Sequence, residues 1–342
     1  MSRKRALITG ATGQDGTYLA EFLVAKDYEV FGVARRTSAD LCAPIEILRL
    51  KNQIGLIHGD IRDSETIERA LKISKPDEIY NLASQSHVGI SFECPEETQA
   101  INYDAAVHLI LSALRQNPKV RIYQASSSEM FGAANESPQT EMTSLNPTSP
   151  YGESKVRAFL KCQEIRKNDG VFICSGITYN HESPRRPKNF VTRKITHSMA
   201  KVKAGQQPYF AVGNIHARRD WGYANDYIKA MWSMMQEDLP EDFIIATGET
   251  HSVKDFINAS AQALNISLEW SGSKLAEKAK NLADGSIVVS IDEKFYRQTE
   301  PTNLVGDISK VTQKLNWKPS VPFAALVEMM AKNDYNSLTI NV

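Results

Sequence analysis

Ala6-Leu7-Ile8-Thr9-Gly10-Ala11-Thr12-Gly13-Gln14-Asp15-Gly16 stands near the start of the chain, and its reading decides the fold. Ala6-Leu7-Ile8-Thr9 reads as a short, fully buried strand. Gly10-x-x-Gly13-x-x-Gly16 is the turn after it. Thr17 to Lys26 carries Leu19, Phe22 and Leu23 at helical spacing, which predicts a helix. Glycines between a strand and a helix let the backbone approach a pyrophosphate, and the helix N-terminus adds N–H donors and positive dipole. The spacing differs from the plain G-x-G-x-x-G fingerprint, and glycine triplets occur by chance. The strand–turn–helix context gives this one its meaning.

Working outward, strands are expected at 29–34, 54–59, 77–82, 119–125 and 171–177, with helices at 63–73, 101–114 and 151–166. This alternation predicts an α/β fold with a doubly wound, parallel, Rossmann-type sheet. Ligands of such sheets bind beyond the carboxyl ends of the strands. The glycine turn, Arg35-Arg36, Asp60, Ala83–His87 and Ser126–Glu129 all follow strands, so five segments should meet at one edge. Beyond about residue 180 the pattern weakens, and Pro184, Pro187, Pro208, Pro240, Pro301, Pro319 and Pro322 punctuate shorter elements. The expected organisation is a dinucleotide-binding domain over 1–180, with some later segments returning to it, and a smaller mixed α/β substrate lobe over 181–342.

Composition narrows the class. The 342 residues carry 40 basic and 40 acidic side chains, a balance that argues against a nucleic-acid binder. The hydrophobic fraction of 42% suits a globular core. Cys42, Cys94, Cys162 and Cys174 form neither a Cys-x-x-Cys pair nor a zinc pattern, so reduced thiols and no metal are expected. Arg3-Lys4-Arg5 precedes too short an apolar stretch for a signal peptide, and no segment reaches the ~18 apolar residues of a membrane span. A cytoplasmic protein is expected.

Three groups of residues carry chemistry. The second strand ends in Arg35-Arg36-Thr37-Ser38, where an acidic residue would favour NAD; two guanidinium groups and two hydroxyls suit a 2′-phosphate, hence NADP. Asp60-Ile61 is a plausible adenine contact, Asp63 being the better helix cap. In Tyr151-Gly-Glu-Ser-Lys155 the two side chains fall one helical turn apart. A tyrosine has an ordinary pKa of about 10, and a nearby ammonium together with a cationic nicotinamide favours its phenolate. Such pairs are common on surface helices; the position after the fifth strand marks this one. Glu129, ending the run Ser126-Ser127-Ser128-Glu129, places a carboxylate where it could take a proton beside a new ketone, and Ser127 or Ser128 could bond the ketone or the departing hydroxyl. These features together point to redox chemistry coupled to loss of water. His87 and His181 read as hydrogen-bonded structural residues near the cofactor. Trp221, Trp232, Trp270 and Trp317 read as core or interface anchors.

Longer strings sharpen this: Thr9–Gly16, Asn81–Val88, Gln124–Glu129, Asn180-His-Glu-Ser-Pro-Arg-Arg186, Phe190–Ile195 and Arg219-Asp-Trp-Gly222. With them the chain resembles the GDP-mannose 4,6-dehydratases, a nucleotide-sugar-modifying group of the extended short-chain dehydrogenase/reductases, over nearly its whole length. The resemblance implies a redox-neutral hydro-lyase acting on GDP-mannose with NADP. It implies Tyr151 and Lys155 as the redox pair, Glu129 as the base for the C5 proton, and Ser127 where the family usually has threonine. It implies cofactor contacts from Gly10, Thr12, Gly13, Gln14, Asp15, Gly16, Arg35, Arg36, Thr37, Ser38, Asp60, Ile61, Leu82, Ala83, Ser84, Gln85, Ser86, Tyr151, Lys155, His181 and Arg186. Contacts to the GDP-sugar are implied for Ser86, His87, Asn180, Val191, Lys194, Arg219, Arg297 and Glu300. A homodimer or homotetramer is implied as well. Two departures stand out: 39–52 is shorter than the family norm in a region that contributes to a tetramer contact, and Glu97 replaces a tyrosine near the cofactor. Other readings are a 4-ketosugar reductase or epimerase, a dehydratase of another GDP-sugar such as a GDP-heptose, and a non-catalytic NADP-binding regulator. Glu129 separates the first from a dehydratase.

Overall fold

The computed structural model describes residues 3–35, 50, 52–295 and 304–339. Among the described residues the first half runs β1 (Arg5–Thr9), α1 (Gln14–Ala25), β2 (Glu29–Ala34), β3 (Ile54–His58), α2 (Ser64–Ser74), β4 (Glu78–Asn81). Two short helices follow, α3 (Val88–Glu93) and α4 (Pro95–Gln99), then a π-helical turn over Ala100–Asp104 and α5 (Ala105–Gln116). Next come β5 (Arg121–Ser127), α6 (Pro150–Asp169) and β6 (Ile173–Thr178). The second half is more broken: β7 (Asn180–Glu182), α7 (Val191–Lys203), β8 (Phe210–Val212), β9 (Arg218–Arg219), β10 (Trp221–Tyr223), α8 (Ala224–Met234), β11 (Phe243–Ile245) and β12 (His251–Ser252). It ends with α9 (Val253–Ala263), β13 (Leu268–Ser271), β14 (Lys278–Asn281), β15 (Ile287–Ile291), α10 (Ser309–Leu315) and α11 (Phe323–Thr339).

Seven strands form one parallel sheet in the order β11-β6-β5-β4-β1-β2-β3. The period-two alternation of each strand makes two cores. Leu7, Ile79, Ile122 and Ile173 face one side, packed with Leu71 of α2 and Leu109 of α5. Ala6, Ile8, Tyr80 and Tyr123 face the other, packed with Leu19 of α1 and Met231 of α8. The chain reverses direction in strand order between β1 and β4, which opens the crevice at their carboxyl ends. A buried polar ladder fixes those ends: Thr9 Oγ1 donates to Asn81 Oδ1 at 2.6 Å, and Asn81 Nδ2 donates to Gln124 Oε1 at 2.7 Å.

The later chain does two things. It returns to the large sheet, adding β11 beside β6 and laying α8 over α1. It also builds a lobe with its own core, where Phe256, Ile257, Leu326 and Met330 pack under the four-stranded sheet β13-β14-β15-β8. A buried pair braces this lobe: Arg193 on α7 meets Asp334 on α11 at 2.6 Å, and Thr196 Oγ1 donates to the same carboxylate at 2.6 Å.

The helix expected over 17–26 begins at Gln14, because Gly13 is already its N-cap residue. The helix expected over 101–114 is divided: the π-helical turn carries Asn102 inward, and the regular helix starts only at Ala105. Asp63 caps α2 through Glu65 N and Thr66 N, as its position predicts. Cys162 and Cys174 are buried free thiols and Cys94 is an exposed one; Cys42 lies outside the described residues. Among the described residues no helix is long and apolar enough to cross a membrane, and no three His, Cys, Asp or Glu side chains gather as a metal site.

Candidate active site

A cavity of about 1000 Å³ opens where the large sheet meets the lobe. Its floor is built from strand ends. From the β1 turn come Gly10, Gly13, Gln14, Asp15 and Gly16; from the segment after β4, Leu82, Ala83, Ser84, Ser86 and His87; from the end of β5, Ser126 to Glu129. The lobe side contributes Asn180, His181, Arg186, Val191, Lys194 and Arg219.

The glycine turn is sterically forced at two points. Gly10 has φ +68°, a left-handed backbone that glycine adopts freely. A Cβ on Gly16 would lie 2.7 Å from Ala11 Cα and closer still to Gly10 O, so only glycine lets α1 pack this tightly on the turn. Gly13 leaves the N-terminus of α1 without a side-chain cap, and its orphan N–H groups need an acceptor.

Ser149 caps α6 by accepting from Gly152 N at 3.0 Å, and Pro150 occupies its first position. This start sets Tyr151 and Lys155 in the cavity one turn apart. Lys155 Nζ lies 5.7 Å from the Tyr151 ring centroid and donates to Ala125 O at 3.0 Å. Burial without a countercharge pulls the Lys155 pKa down to about 8. Tyr151 is pushed up to about 12: burial dominates, a hydrogen bond with Ser127 opposes it, and the Glu129 charge adds to it. Arg186 also pulls the phenol down. Burial, Ser127, Glu129 and Arg186 are the largest influences on the phenol here. The ammonium is tied to a strand carbonyl, and Ser127 and Arg186 are the groups that favour the phenolate. Glu129 and Tyr151 do share one pocket; Glu129 is 9% exposed, and Ser127 Oγ accepts from its backbone N–H at 3.3 Å.

The two sides of the cavity are stitched through the residues after Gly13. Gln14 Nε2 donates to His181 O at 3.0 Å, and Ser183 Oγ donates to Gln14 Oε1 at 2.8 Å. His181 Nε2 meets Asp15 Oδ2 at 2.8 Å, and its Nδ1 meets Tyr179 O at 2.7 Å. Burial opposes both charges of this pair, yet their mutual attraction leaves Asp15 below the usual carboxylate range and His181 above the usual imidazole range. His87 caps α3 through Nδ1, accepting from Ile90 N at 3.2 Å, the structural part its sequence context implied. Lys194 Nζ sits 3.2 Å from the Phe295 ring centroid, its pKa lowered by burial and by Lys294.

Other expected residues fall outside the cavity wall. Thr12 lies in the turn without lining the cavity. Arg35 is exposed at the end of β2, close enough for its charge to act on Asp60. Asp60 accepts from the Arg62 guanidinium at 2.8 Å, and Arg62 also meets Glu97 at 3.2 Å. Glu97 thus holds an arginine at the rim. Ile61 is turned into the core beside Ile57 and Ile67, so its side chain is closed to a ligand. Gln85 is spent on the loop, donating to Thr98 Oγ1 and accepting from His87 N. Arg36, Thr37, Ser38, Arg297 and Glu300 lie outside the described residues, as does most of 39–52.

A family model described as GDP-mannose 4,6 dehydratase matches residues 7–330. The GDP-mannose 4,6 dehydratase of Cricetulus griseus is 45% identical over 347 residues, spanning 99% of this chain and 93% of that protein. The chain belongs to the GDP-mannose 4,6-dehydratase family. Membership in this family gives it the reaction class of a hydro-lyase, with Glu129, Ser127 and Tyr151 gathered in one pocket. The fold is shared more widely. The dTDP-glucose 4,6-dehydratase of Bacillus anthracis, solved with NAD, superposes with a TM-score of 0.79 at 17% identity, covering 98% of this chain and 97% of that one. RMD from Pseudomonas aeruginosa, solved with NADPH, gives 0.76 at 18% identity, covering 97% and 100%.

Within the GDP-mannose 4,6-dehydratase frame, three residues went unassigned by sequence. Asn102 ties the β4 loop to α6, accepting from Ser84 Oγ and Gln85 N at 2.9 Å each and donating to Ser154 Oγ at 3.0 Å. It sits in the π-helical turn, which has no sequence signature. Glu182 is a buried cavity carboxylate that accepts from Thr192 Oγ1 at 2.6 Å and pairs with Arg186 at 3.2 Å. Asp220 is fully buried beside Arg219. Both acids lie inside strings that carry the resemblance, a signal that could have marked them.

Proposed function

We propose that this protein is an NADP-dependent GDP-mannose 4,6-dehydratase that converts GDP-mannose to GDP-4-keto-6-deoxy-mannose without net redox change. The observation that carries the reading is the meeting of Tyr151, Ser127 and Glu129 in one pocket beside an uncapped helix N-terminus. A plain dehydrogenase has no need of Glu129.

The uncapped N–H groups of α1 and the glycine turn fit a dinucleotide pyrophosphate. Arg35, with Arg36, Thr37 and Ser38 following it in sequence, supports the choice of NADP over NAD. When bound, a nicotinamide would supply hydride storage between sugar C4 and C6. The remaining steps belong to the protein. Tyr151, as the phenolate that a cationic nicotinamide would favour and the Ser127 hydroxyl would hydrogen-bond, would take the proton of the C4 hydroxyl. Glu129 takes the C5 proton, which the C4 ketone has made acidic. Glu129 then gives a proton to the departing C6 hydroxyl, so that water leaves and a C5–C6 double bond forms, with Ser127 in support. The enolate left by hydride return to C6 would be protonated at C5, and that proton balances the one Tyr151 removed from the C4 hydroxyl. Asn180, Val191, Lys194 and Arg219 line the part of the cavity facing the lobe, where cations suit a diphosphate.

In this reading residues 1–180, with α8 and β11 added, hold the cofactor, and 181–342 mainly hold the GDP-sugar. A homodimer or homotetramer in the cytoplasm belongs to the same reading; the exposure of Leu111 and Leu160 on α5 and α6 is consistent with assembly.

The test is GDP-mannose deuterated at C4, incubated with enzyme, NADP and no added reductant. The product should be lighter by one water and carry the label at C6. Label released on free reduced cofactor, or no mass change at all, defeats the reading.

A further inference from the structure

Arg219 and Trp221 both line the cavity, and between them lies a carboxylate that no step of the reaction uses. Asp220 is 0% exposed. It is the single residue separating β9 from β10. Those strands belong to different sheets: Arg219 pairs with His251 of β12, whereas Trp221 pairs with Asn180 of β7. The direction change between the sheets falls at Asp220.

Its carboxylate reaches across to the large sheet. Oδ1 accepts from Thr247 N at 2.8 Å and from Thr247 Oγ1 at 2.6 Å, just beyond β11. Oδ2 accepts from Gly248 N at 3.0 Å and Gly306 N at 3.4 Å. Four donors converge on one carboxylate, from two segments distant in sequence. Gly306 is locked from the other side too: Gln139, also 0% exposed, accepts from Val305 N at 3.0 Å through its side chain and from Asp307 N at 2.8 Å through its carbonyl. A Cβ on Gly306 would sit 2.9 Å from Tyr179, so the segment is as close as a backbone can come.

We propose that Asp220 is a positioning residue for nucleotide-sugar binding: by clamping the β9–β10 corner to the end of β11 it fixes where Arg219 meets the GDP diphosphate. The clamp rests on the function proposed above only for the identity of the ligand. An ordinary stabilising carboxylate would lower all activities together when altered. A clamp on Arg219 should act on ground-state binding of the nucleotide and leave the chemistry at Tyr151 and Glu129 alone.

Asp220→Asn is the sharpest test. The amide keeps one acceptor, but its NH2 then faces the Gly248 and Gly306 N–H groups, donor against donor, and the corner must move. The KM for GDP-mannose should rise about tenfold, with kcat within about twofold and NADPH affinity unchanged. GDP affinity by calorimetry should weaken about as much as the KM. Thr247→Val removes one donor and keeps the charge; about a threefold loss of GDP affinity is expected, and this variant decides the matter if Asp220→Asn does not fold. Unchanged GDP affinity in the folded variants overturns the proposal, as does a kcat or NADPH affinity that falls as far as GDP affinity. Wild-type protein that binds GDP without dehydrating GDP-mannose defeats the proposed function and leaves the affinity comparison to decide the clamp. Wild-type protein that binds neither ligand defeats both.

Discussion

The cavity has two walls made in different ways. The wall on the large sheet is built from strand ends and one helix start, so its residues are placed by local backbone: Gly10 by its positive φ, Tyr151 and Lys155 by the capped first turn of α6. The lobe wall is built from two- and three-residue strands held by polar contacts between elements: Glu182 to Thr192, Asp220 to Thr247 and Gly306, Arg193 to Asp334. The first wall places reactive groups through secondary structure. The second places binding groups through buried charges, which must all stay paired. Substitutions in the first should therefore change chemistry more than stability, and substitutions in the second the reverse.

The largest effect should come from Glu129→Gln. Loss of a general acid/base is expected to lower dehydration on the order of 10³-fold while nicotinamide reduction by GDP-mannose persists, read as absorbance of the reduced cofactor accumulating on the enzyme. If dehydration continues at the wild-type rate, the sheet wall does not do the chemistry assigned to it. Asp334→Ala should cost about 3–5 kcal/mol in urea unfolding, since it leaves the Arg193 guanidinium buried and unpaired. A loss of activity without a shift in the unfolding midpoint would reverse the contrast between the walls.

Lys155→Met sharpens the comparison, because it should abolish turnover and raise stability together. The folded pKa of Lys155 is lowered to about 8 from 10.5. Its contribution to stability is thus present above pH 10.5 and is lost as pH falls through 8, so at pH 7 the buried ammonium costs about 3 kcal/mol. The variant should unfold later than wild type at pH 7, with the gain shrinking as pH rises from 8 towards 10.5. An equal unfolding midpoint at both ends of that range would contradict it. The smallest effect is expected from Asp15→Asn. The amide still bonds His181 but loses the charge, so NADPH affinity should fall about fivefold by fluorescence titration, with little change in stability.

The same contrast governs how much the sequence revealed. The large sheet was legible as a parallel alternation through β6, because β1 to β6 are apolar runs; its strand order and its seventh strand, β11, were not. The strand ends that would line the cavity were legible for the same reason, and Gly10, Ser127, Glu129, Tyr151 and Lys155 do line it, whereas Thr12, Arg35, Asp60 and Gln85 do not and the Ile61 side chain packs inward. The lobe was not legible. β8 has three residues, β13 and β14 are half exposed, and Lys278 and Lys280 give β14 no apolar alternation to detect. Glu182 and Asp220 carry no periodic signal, since what gives them their place is a polar partner on another element: Thr192 of α7 for Glu182, and Thr247 and Gly306 for Asp220. Asn102 was hidden differently: a π-helical turn and an α-helix share one hydrophobic pattern.

The seventh strand imposes an order on biosynthesis. β11 is supplied by residues 243–245, yet it covers the open side of β6, completed some sixty-five residues earlier. A ribosome that has released the first 180 residues has therefore made a sheet whose β6 margin is still bare. Until the missing strand emerges, that margin is a template for another nascent chain. Severing the polypeptide between β6 and β11 should yield aggregates instead of an isolated, soluble nucleotide-binding fragment.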